Sequence, residues 1–143
     1  MRIVTSAAAG RPQYFDRNPV NRTQYNNASG AAPHAPTTRW TYTVPAGKKA
    51  FVDSLMTVVR RELVAAPAAI AEAYVTHTPS GGSAAIVAYS GVNSNTVGAQ
   101  DKVNVAAVGA MLPGDAIAGL DTDLSTGGSA TEIVSAKILE YDA

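Results

Sequence analysis

Residues 41–61, TYTVPAGKKAFVDSLMTVVRR, consist of two β-prone runs joined by a Pro-Ala-Gly turn at residues 45–47. Proline restricts φ and glycine supplies the freedom that a tight turn needs, so the two runs are predicted to be strands joined by a turn. In the second run, residues 49–61, apolar side chains occupy both alternating faces. A strand with two apolar faces is usually covered on both. One face fits a second sheet, and the other needs an arm, a loop or another subunit.

From residue 39 onward the chain alternates short β-prone runs with clusters of Gly, Ser, Asn and Pro. This spacing is typical of an all-β antiparallel sandwich or barrel. The Ala-rich segment at residues 63–74 could be a helix, but Pro67 and the absence of a 3.6-residue period favour a strand. The predicted strands cover residues 39–44, 49–61, 70–78, 84–90, 102–108, 115–121 and 131–141.

A chain of 143 residues fits one domain of ordinary size, and its composition divides it in two. Residues 1–38 are predicted to be an extended N-terminal arm, because residues 7–38 are rich in Asn, Ala, Pro and Gly and lack periodicity. Residues 39–143 are predicted to be the β-sandwich domain. Residues 1–61 carry nine basic and two acidic residues, net +7, and residues 62–143 carry two basic and nine acidic residues, net −7.

The charge asymmetry suggests that a basic arm meets an acidic partner, or the acidic half of a second copy. A nucleic-acid partner is less favoured, because the basic residues are spread out and form no known binding module. The arm also contains aromatic residues, which a solvated linker does not need and which serve as anchors at interfaces. These rings could instead pack on their own domain. The predicted partner-binding residues are Arg11, Tyr14, Phe15, Arg17, Arg22 and Tyr25.

The search for reaction chemistry predicts no catalytic, cofactor-binding or metal-binding residue, and no cofactor. The chain has no cysteine, and no motif connects His34 with His77. The segment DTDLS places oxygen ligands at Asp121, Asp123 and Ser125, but the glycine and distal glutamate of a calcium loop are missing. No stretch approaches the roughly 18 apolar residues that a transmembrane helix needs, so no membrane partner is expected.

Three segments carry a resemblance to a known family: YTVPAGKKAFVDSL at residues 42–55, LPGDAIAGL at 112–120 and TEIVSAKILEY at 131–141. Small virion proteins of tailed phages have a similar layout, in which a VPAGK turn opens a jelly-roll domain and an L-x-x-GD-x-I strand lies near its end. Over residues 40–141 the chain resembles the capsid cement, or decoration, proteins of these phages. The motifs are short and structural, and related turns occur in other β-sandwich domains.

The resemblance implies an all-β, antiparallel two-sheet jelly-roll sandwich without enzymatic activity. It also implies a place on the outer surface of a virion, where the protein binds the major capsid protein and clamps neighbouring subunits. The family's binding residues form no motif that can be transferred to this chain. Self-association is expected as well, with a homodimer as first choice and a trimer as second, because cyclic dimers are the commonest homo-oligomers.

Two other classes of function stay open. A receptor- or carbohydrate-binding module of a phage tail would share the sandwich, but aromatic residues make up only 6% of the chain. Trp40, the single tryptophan, lies in the first predicted strand, where a core position is expected. A cupin-like enzyme would share the fold too, but it needs a histidine-rich metal set, which two unconnected histidines do not supply.

Overall fold

A computed structural model describes residues 18–27, 34–63, 70–93, 96–105, 108–125 and 128–143. Within these ranges the regular structure consists of nine strands, and no helix is present that could cross a membrane. The strands are β1 (Asn18–Asn27), β2 (His34–Thr43), β3 (Lys48–Leu63), β4 (Ile70–Thr78), β5 (Ala85–Asn93), β6 (Gln100–Val105), β7 (Val108–Met111), β8 (Ala116–Asp123) and β9 (Ser129–Asp142).

The strands form two antiparallel sheets. The first sheet has the order β1-β9-β3-β6. Strand β7 pairs with residues 50–52 of β3, on the same edge where residues 55–60 of β3 pair with β6. The second sheet has the order β2-β8-β4-β5. This alternation of strands between two four-stranded sheets is the eight-stranded jelly roll, to which β7 is an addition. The predicted fold class is therefore confirmed.

Strand β3 is the longest strand in the described ranges, at 16 residues, as the sequence predicts. It pairs with β9 along one edge and with β6 and β7 along the other. Its inner face contributes Leu55 and Val59 to the core. Phe51 lies outside both core clusters and stacks on Tyr141 of β9, with ring centroids 5.8 Å apart. Both faces of the strand thus carry apolar side chains.

Two hydrophobic clusters fill the space between the sheets. The larger includes Tyr42, Leu55 and Ile138, and the smaller consists mainly of valine and alanine side chains. Trp40 packs against both clusters, and its indole Nε1 donates a hydrogen bond of 2.9 Å to the carbonyl of Val134 in the facing sheet. The prediction that Trp40 is a core residue is confirmed.

The indole ring of Trp40 lies directly against the backbone of Gly119, its cross-strand partner in β8. A Cβ atom at Gly119 would sit 2.4 Å from Cε2 of the ring, closer than real Cβ contacts come. A glycine in a strand interior often marks such a close approach, and here it makes room for the largest side chain of the core.

The structure places strands in a region that was expected to have little regular structure. Residues 18–27 form β1, which pairs with β9 along its whole length, and β2 begins at His34 rather than at residue 39. The β1 sequence NPVNRTQYNN has no apolar alternation, but backbone pairing does not require one. The backbone N–H and C=O groups on the second edge of β9 need partners, and β1 supplies them.

The Ala-rich segment is a strand where the structure describes it. Ile70–Thr78 is β4, with the bounds that the sequence predicts, and it lies between β8 and β5 in the second sheet. Alternate residues of β4, Ala71, Ala73 and Val75, are fully buried. This confirms the strand interpretation over the helix for these residues, whereas residues 64–69 lie outside the described ranges.

Candidate partner-binding surface

The six predicted contact residues fall into two groups. Arg22 and Tyr25 belong to β1, where the backbone register places them opposite Ala136 and Ile133 of β9. Their role as contacts stays a prediction. The other four precede Asn18 and lie outside the described residues: Arg11, Tyr14, Phe15 and Arg17.

Three turns meet at one end of the sandwich: residues 45–47 between β2 and β3, residues 79–84 between β4 and β5, and residues 112–115 between β7 and β8. Their proximity follows from the register, because Thr43 at the end of β2 and Thr78 at the end of β4 both pair with Ala116. We call this end of the sandwich, formed by residues 45–47, 79–86 and 112–115, the turn end.

Asp115 connects the three turns. Its carboxylate accepts hydrogen bonds from the backbone N–H of Ser80 at 2.8 Å and of Leu112 at 3.0 Å. Its backbone carbonyl accepts a hydrogen bond of 2.9 Å from the N–H of Val44, whose own carbonyl accepts one of 3.0 Å from Gly114. The hydrogen bonds from Leu112 and Ser80 hold the pKa of the Asp115 carboxyl below its usual value. Asp115 therefore holds the three turns together through hydrogen bonds.

Of the described glycines with positive φ, a backbone conformation that other residues rarely adopt, Gly47 and Gly114 shape two of the three turns. Gly47 has φ of 74° in a turn closed by a hydrogen bond of 3.2 Å from the N–H of Lys48 to the carbonyl of Pro45, which confirms the turn predicted there. Gly114 has φ of 88°, and a Cβ atom there would lie 2.7 Å from Oγ of Ser80. The turns at 45–47 and 112–115 thus depend on glycine for their shape and their close packing.

The exposed residues of the turn end are mostly small or apolar. Residues 45–47, 79–86 and 112–114 are all exposed and none of them is ionisable, although Ser80 and Ser83 are polar. Leu112 is 56% exposed and Ile86 is 59% exposed, although both are large aliphatic side chains. Charged groups border these residues, because Lys48 pairs with Asp142 at 2.6 Å and His77 lies 3.7 Å from Asp115.

Substitution of Asp115 with Ala should destabilise the protein by about 2 kcal/mol at pH 7, because two backbone N–H groups lose their acceptor. Since folding lowers the pKa of Asp115, its contribution is present above the usual carboxyl pKa and is lost as the pH falls through the folded-state value. Urea denaturation at pH 7 and at pH 3 measures both effects. Asp53→Ala is the control, because the Asp53–Lys137 pair is exposed and should contribute about 0.5 kcal/mol or less.

The opposite end of the sandwich encloses a group of charged side chains between the sheets. The side chain of Arg39 approaches Asp121 at 2.7 Å, and Nη1 of Arg61 lies 3.8 Å from Oδ1 of Asp123. Arg61 and Asp121 are both fully buried. We call the group the charge cluster; its members are Arg39, Arg61, Asp121, Asp123 and Glu132.

Glu132 is the least compensated member of the charge cluster. Its side chain is fully buried, and among the described residues neither carboxylate oxygen has a hydrogen-bond partner. Burial, followed by the negative charges of Asp123 and Asp121, raises the pKa of Glu132 to about 9, against the opposing effect of Arg39 and Arg61. Glu132 is therefore protonated and neutral at pH 7.

Four residues of the DTDLS segment, Asp121, Thr122, Asp123 and Ser125, are buried, whereas Leu124 is exposed. Oδ1 of Asp123 accepts hydrogen bonds from the backbone N–H of Ser125, at 2.9 Å, and from its hydroxyl. In the described part of the chain, no group of three or more His, Cys, Asp or Glu residues is placed to hold a metal ion. His34 of β2 and His77 of β4 lie beside opposite ends of β8, because His34 pairs with Asp123 and His77 pairs with Ile117.

Part of the charge asymmetry seen in the sequence is used within the fold. Arg60 of the first half pairs locally with Glu62 at 3.9 Å, and three further basic residues of the first half pair with acids of the second half that are distant in the sequence. Part of the charge asymmetry therefore reflects ion pairs between the two halves of one chain, so it does not by itself indicate a partner. The pairs are Arg39–Asp121, Lys48–Asp142 and Arg61–Asp123.

Comparisons with known proteins assign this chain to no family. No protein-family model matches the chain, and no curated protein matches it. A solved structure of infectious bursal disease virus, Gx strain, contains a chain with 11% sequence identity and a TM-score of 0.44. The match covers 99% of this chain and 37% of that chain, so the present chain spans little more than a third of its length. A similarity of this size does not establish a shared function.

Proposed function

We propose that the chain is a non-enzymatic structural protein of a virion, which binds the outer surface of a phage capsid and clamps neighbouring major capsid protein subunits. The observation that carries this proposal is the position of the two motifs that resemble cement proteins. The VPAGK turn and the PGD turn lie side by side at the turn end, joined by backbone hydrogen bonds from Val44 to Asp115 and from Gly114 to Val44.

The architecture suits a clamp. A protein that holds neighbouring subunits must present its contacts on a rigid scaffold. Two packed sheets whose turns are held by hydrogen bonds provide such a scaffold. Many identical copies on a shell would act together, so that modest contacts by each copy give strong total binding. The jelly roll alone does not decide between classes of function, because the same fold occurs in capsid proteins, lectins and cupins.

Self-association of the protein belongs to the same proposal. The outer face of the first sheet carries a stripe of apolar side chains, including Phe51, Met56 and Leu139, which lie outside both core clusters and are half-buried. Contact between two copies through this face would remove the stripe from water. A homodimer remains the first choice and a trimer the second.

A carbohydrate-binding or receptor-binding tail module is the alternative. Sugars stack on exposed aromatic rings, but the ring of Trp40 packs against both core clusters and its Nε1 donates to a backbone carbonyl. Tyr89, on an edge strand, is 41% exposed, and its hydroxyl donates to Glu72 at 2.8 Å. These features do not favour the alternative over the capsid proposal.

Deletion of residues 1–17 should weaken binding to capsid shells by roughly tenfold or more, because aromatic anchors dominate interface energies. All nine described strands remain in this variant, whereas deletion as far as residue 38 would also remove β1 and half of β2. The double variant Tyr14→Ala/Phe15→Ala should lose more affinity than Arg17→Ala. Added salt should weaken binding of the intact protein, since exposed charge pairs are screened within roughly 8 Å at physiological ionic strength.

Co-sedimentation with shells of the cognate major capsid protein measures these affinities, and far-UV circular dichroism checks the fold of each variant. Absence of binding by the intact protein would refute the capsid role. Full-strength binding by the deletion variant would place the contact on the sandwich and remove the arm from the proposal.

A further inference from the structure

We propose that a polar and aromatic site on the outer face of the second sheet binds the guanidinium group of an arginine from residues 1–17 of a second copy of the chain. This inference goes beyond the proposed function, because the contact joins copies through the second sheet and does not involve the capsid. Glu72 and Tyr74 alternate along β4 with buried core alanines, so they face away from the core. With their cross-strand partners they form what we call the Glu72 site, whose members are Glu72, Tyr74, Tyr89 and Thr122.

The carboxylate of Glu72 forms no ion pair with any basic residue that the structure describes. Its Oε1 accepts a hydrogen bond of 2.8 Å from the hydroxyl of Tyr89. Burial, followed by this hydrogen bond and the negative charges of Glu72 and Asp101, raises the pKa of Tyr89 to about 12. Both charges that act on this tyrosine are negative, so a cation bound beside it would be attracted by both carboxylates.

The basic residues of the described strands are engaged or placed elsewhere. Arg39 is the only Lys or Arg in the four strands of the second sheet, and its side chain pairs with Asp121 at 2.7 Å. His77 lies at the turn end, 3.7 Å from Asp115, and the register places His34 opposite Asp123. Every other Lys or Arg with a described side chain belongs to the first sheet: Lys48, Lys49, Arg60, Arg61, Lys102 and Lys137.

Thr122 adds a polar atom that the fold leaves unsatisfied. Its side chain is 2% exposed, and among the described residues its Oγ1 has no hydrogen-bond partner. The hydroxyl is close enough to Tyr74 to oppose the rise in pKa that burial causes there, but it forms no hydrogen bond of normal geometry. A buried hydroxyl without a partner is costly, and this one lies directly across the sheet from Glu72.

A guanidinium group fits this combination of side chains. It is planar, presents five N–H donors and stacks on aromatic faces, whereas carboxylate and hydroxyl oxygens accept hydrogen bonds. Tyr89 is 41% exposed, so part of its ring is available for stacking. A Cβ atom at Gly91 would lie 2.4 Å from the hydroxyl oxygen of Tyr89, so glycine at that position lets the ring lie along β5 towards Glu72.

Residues 1–17 carry the complementary charge. They contain three arginines and one acid, net 3 − 1 = +2, whereas residues 62–143 have a net charge of −7. Strand β1 begins near the turn end of the first sheet, because Asn18 pairs with Glu140, and the Glu72 site lies at the other end of the second sheet. An extended segment of this length spans up to roughly 60 Å. It can therefore reach a second copy, which is favoured because the site of the same copy faces the opposite side of the sandwich.

Fluorescence anisotropy of a labelled peptide of residues 1–17 tests the site on the intact protein. Glu72→Gln should weaken peptide binding by roughly tenfold, because it removes the charge and keeps an acceptor for the hydroxyl of Tyr89. Glu62→Gln is the matched control and should bind like the unaltered protein. Glu62 is also half-buried and accepts a hydroxyl hydrogen bond, of 3.0 Å from Thr131, but it lies on the first sheet beside Arg60. A peptide with its three arginines replaced by glutamine should not bind measurably.

Analytical ultracentrifugation of the intact protein tests whether a second copy supplies the arginine. Glu72→Gln should weaken self-association by a similar factor, and thermal denaturation confirms that each variant is folded. If the peptide binds Glu72→Gln and the unaltered protein equally well, the site is wrong. If Glu72→Gln weakens peptide binding but leaves self-association unchanged, the arginine does not come from a second copy, which also overturns the inference. Neither measurement uses capsid shells, so the inference and the proposed function can fail separately.

Discussion

Substitution of Glu132 with Gln should raise the free energy of unfolding at pH 7 by about 3 kcal/mol, because the variant has no buried carboxyl to keep protonated. Burial raises the pKa of Glu132 to about 9 in the folded protein, from 4.5. The unfolded chain therefore releases this proton at a lower pH than the folded chain does. As the pH rises from about 4.5 to about 9, the unaltered protein progressively loses stability through this group.

Glu132→Gln should be free of this pH dependence. At pH 4 the two proteins should have similar stability, and the difference should grow with pH and reach its largest value near pH 9. Urea denaturation across this range measures it. Asp142→Asn is the control, because the side chain of Asp142 is 56% exposed and its pair with Lys48 is a surface ion pair. If Glu132→Gln and the unaltered protein lose the same free energy of unfolding as the pH rises, then Glu132 is ionised in the folded protein.

Substitution of Gly119 with Ala should destabilise the protein by about 3 kcal/mol, the upper part of the range for overpacked cores. The added Cβ would lie 2.4 Å from Cε2 of Trp40, so the ring would have to move and would strain or lose its hydrogen bond to the carbonyl of Val134. Trp40 is the only tryptophan in the chain, so its fluorescence reports the displacement directly during urea denaturation.

Two controls identify the clash as the cause. Gly109→Ala should be nearly neutral, because a Cβ at Gly109 would have no neighbour within 4 Å. In a Trp40→Ala background, Gly119→Ala should cost much less than it does alone, since the ring that it meets is gone. An equal cost in both backgrounds would mean that the backbone of β8, and not the ring, requires glycine at this position.

Side-chain alternation and turn residues were enough to predict the parts of the fold that depend on local pattern. The bounds of β4, the position of β3 as one of the longest strands and the turn at residues 45–47 follow from them, although β3 extends beyond the predicted residues 49–61 to Lys48–Leu63. Strand β1 could not be found in this way. An edge strand is recruited through its backbone, and the polar residues of Asn18–Asn27 leave no alternation for a sequence pattern to reveal.

The candidate surface was predicted less well, because its parts are distant in sequence. Pro113, Gly114 and Asp115 are residues typical of a turn, but only the pairing of β2, β4 and β8 shows that this turn meets two others. The charge cluster was missed for the same reason. A signal existed: Asp121 and Asp123 occupy alternate positions in a β-prone run, the same alternation that places Ile117 in the core. Their basic partners Arg39 and Arg61, and the neighbouring Glu132, come from three other strands.

The central position of β9 in the first sheet has a consequence for how the chain folds. β9 lies between β1 and β3, and it is the last of the nine strands to be synthesised. Until β9 has left the ribosome, β1 has no partner in the sheet and one edge of β3 stays open. Strand β3 can pair earlier with β6 and β7, but the β1-β9-β3 part of the first sheet assembles only after translation of the described chain is nearly complete. Pairings between segments so far apart in sequence make folding slow, and during that interval the open edge of an apolar strand is available to other nascent copies.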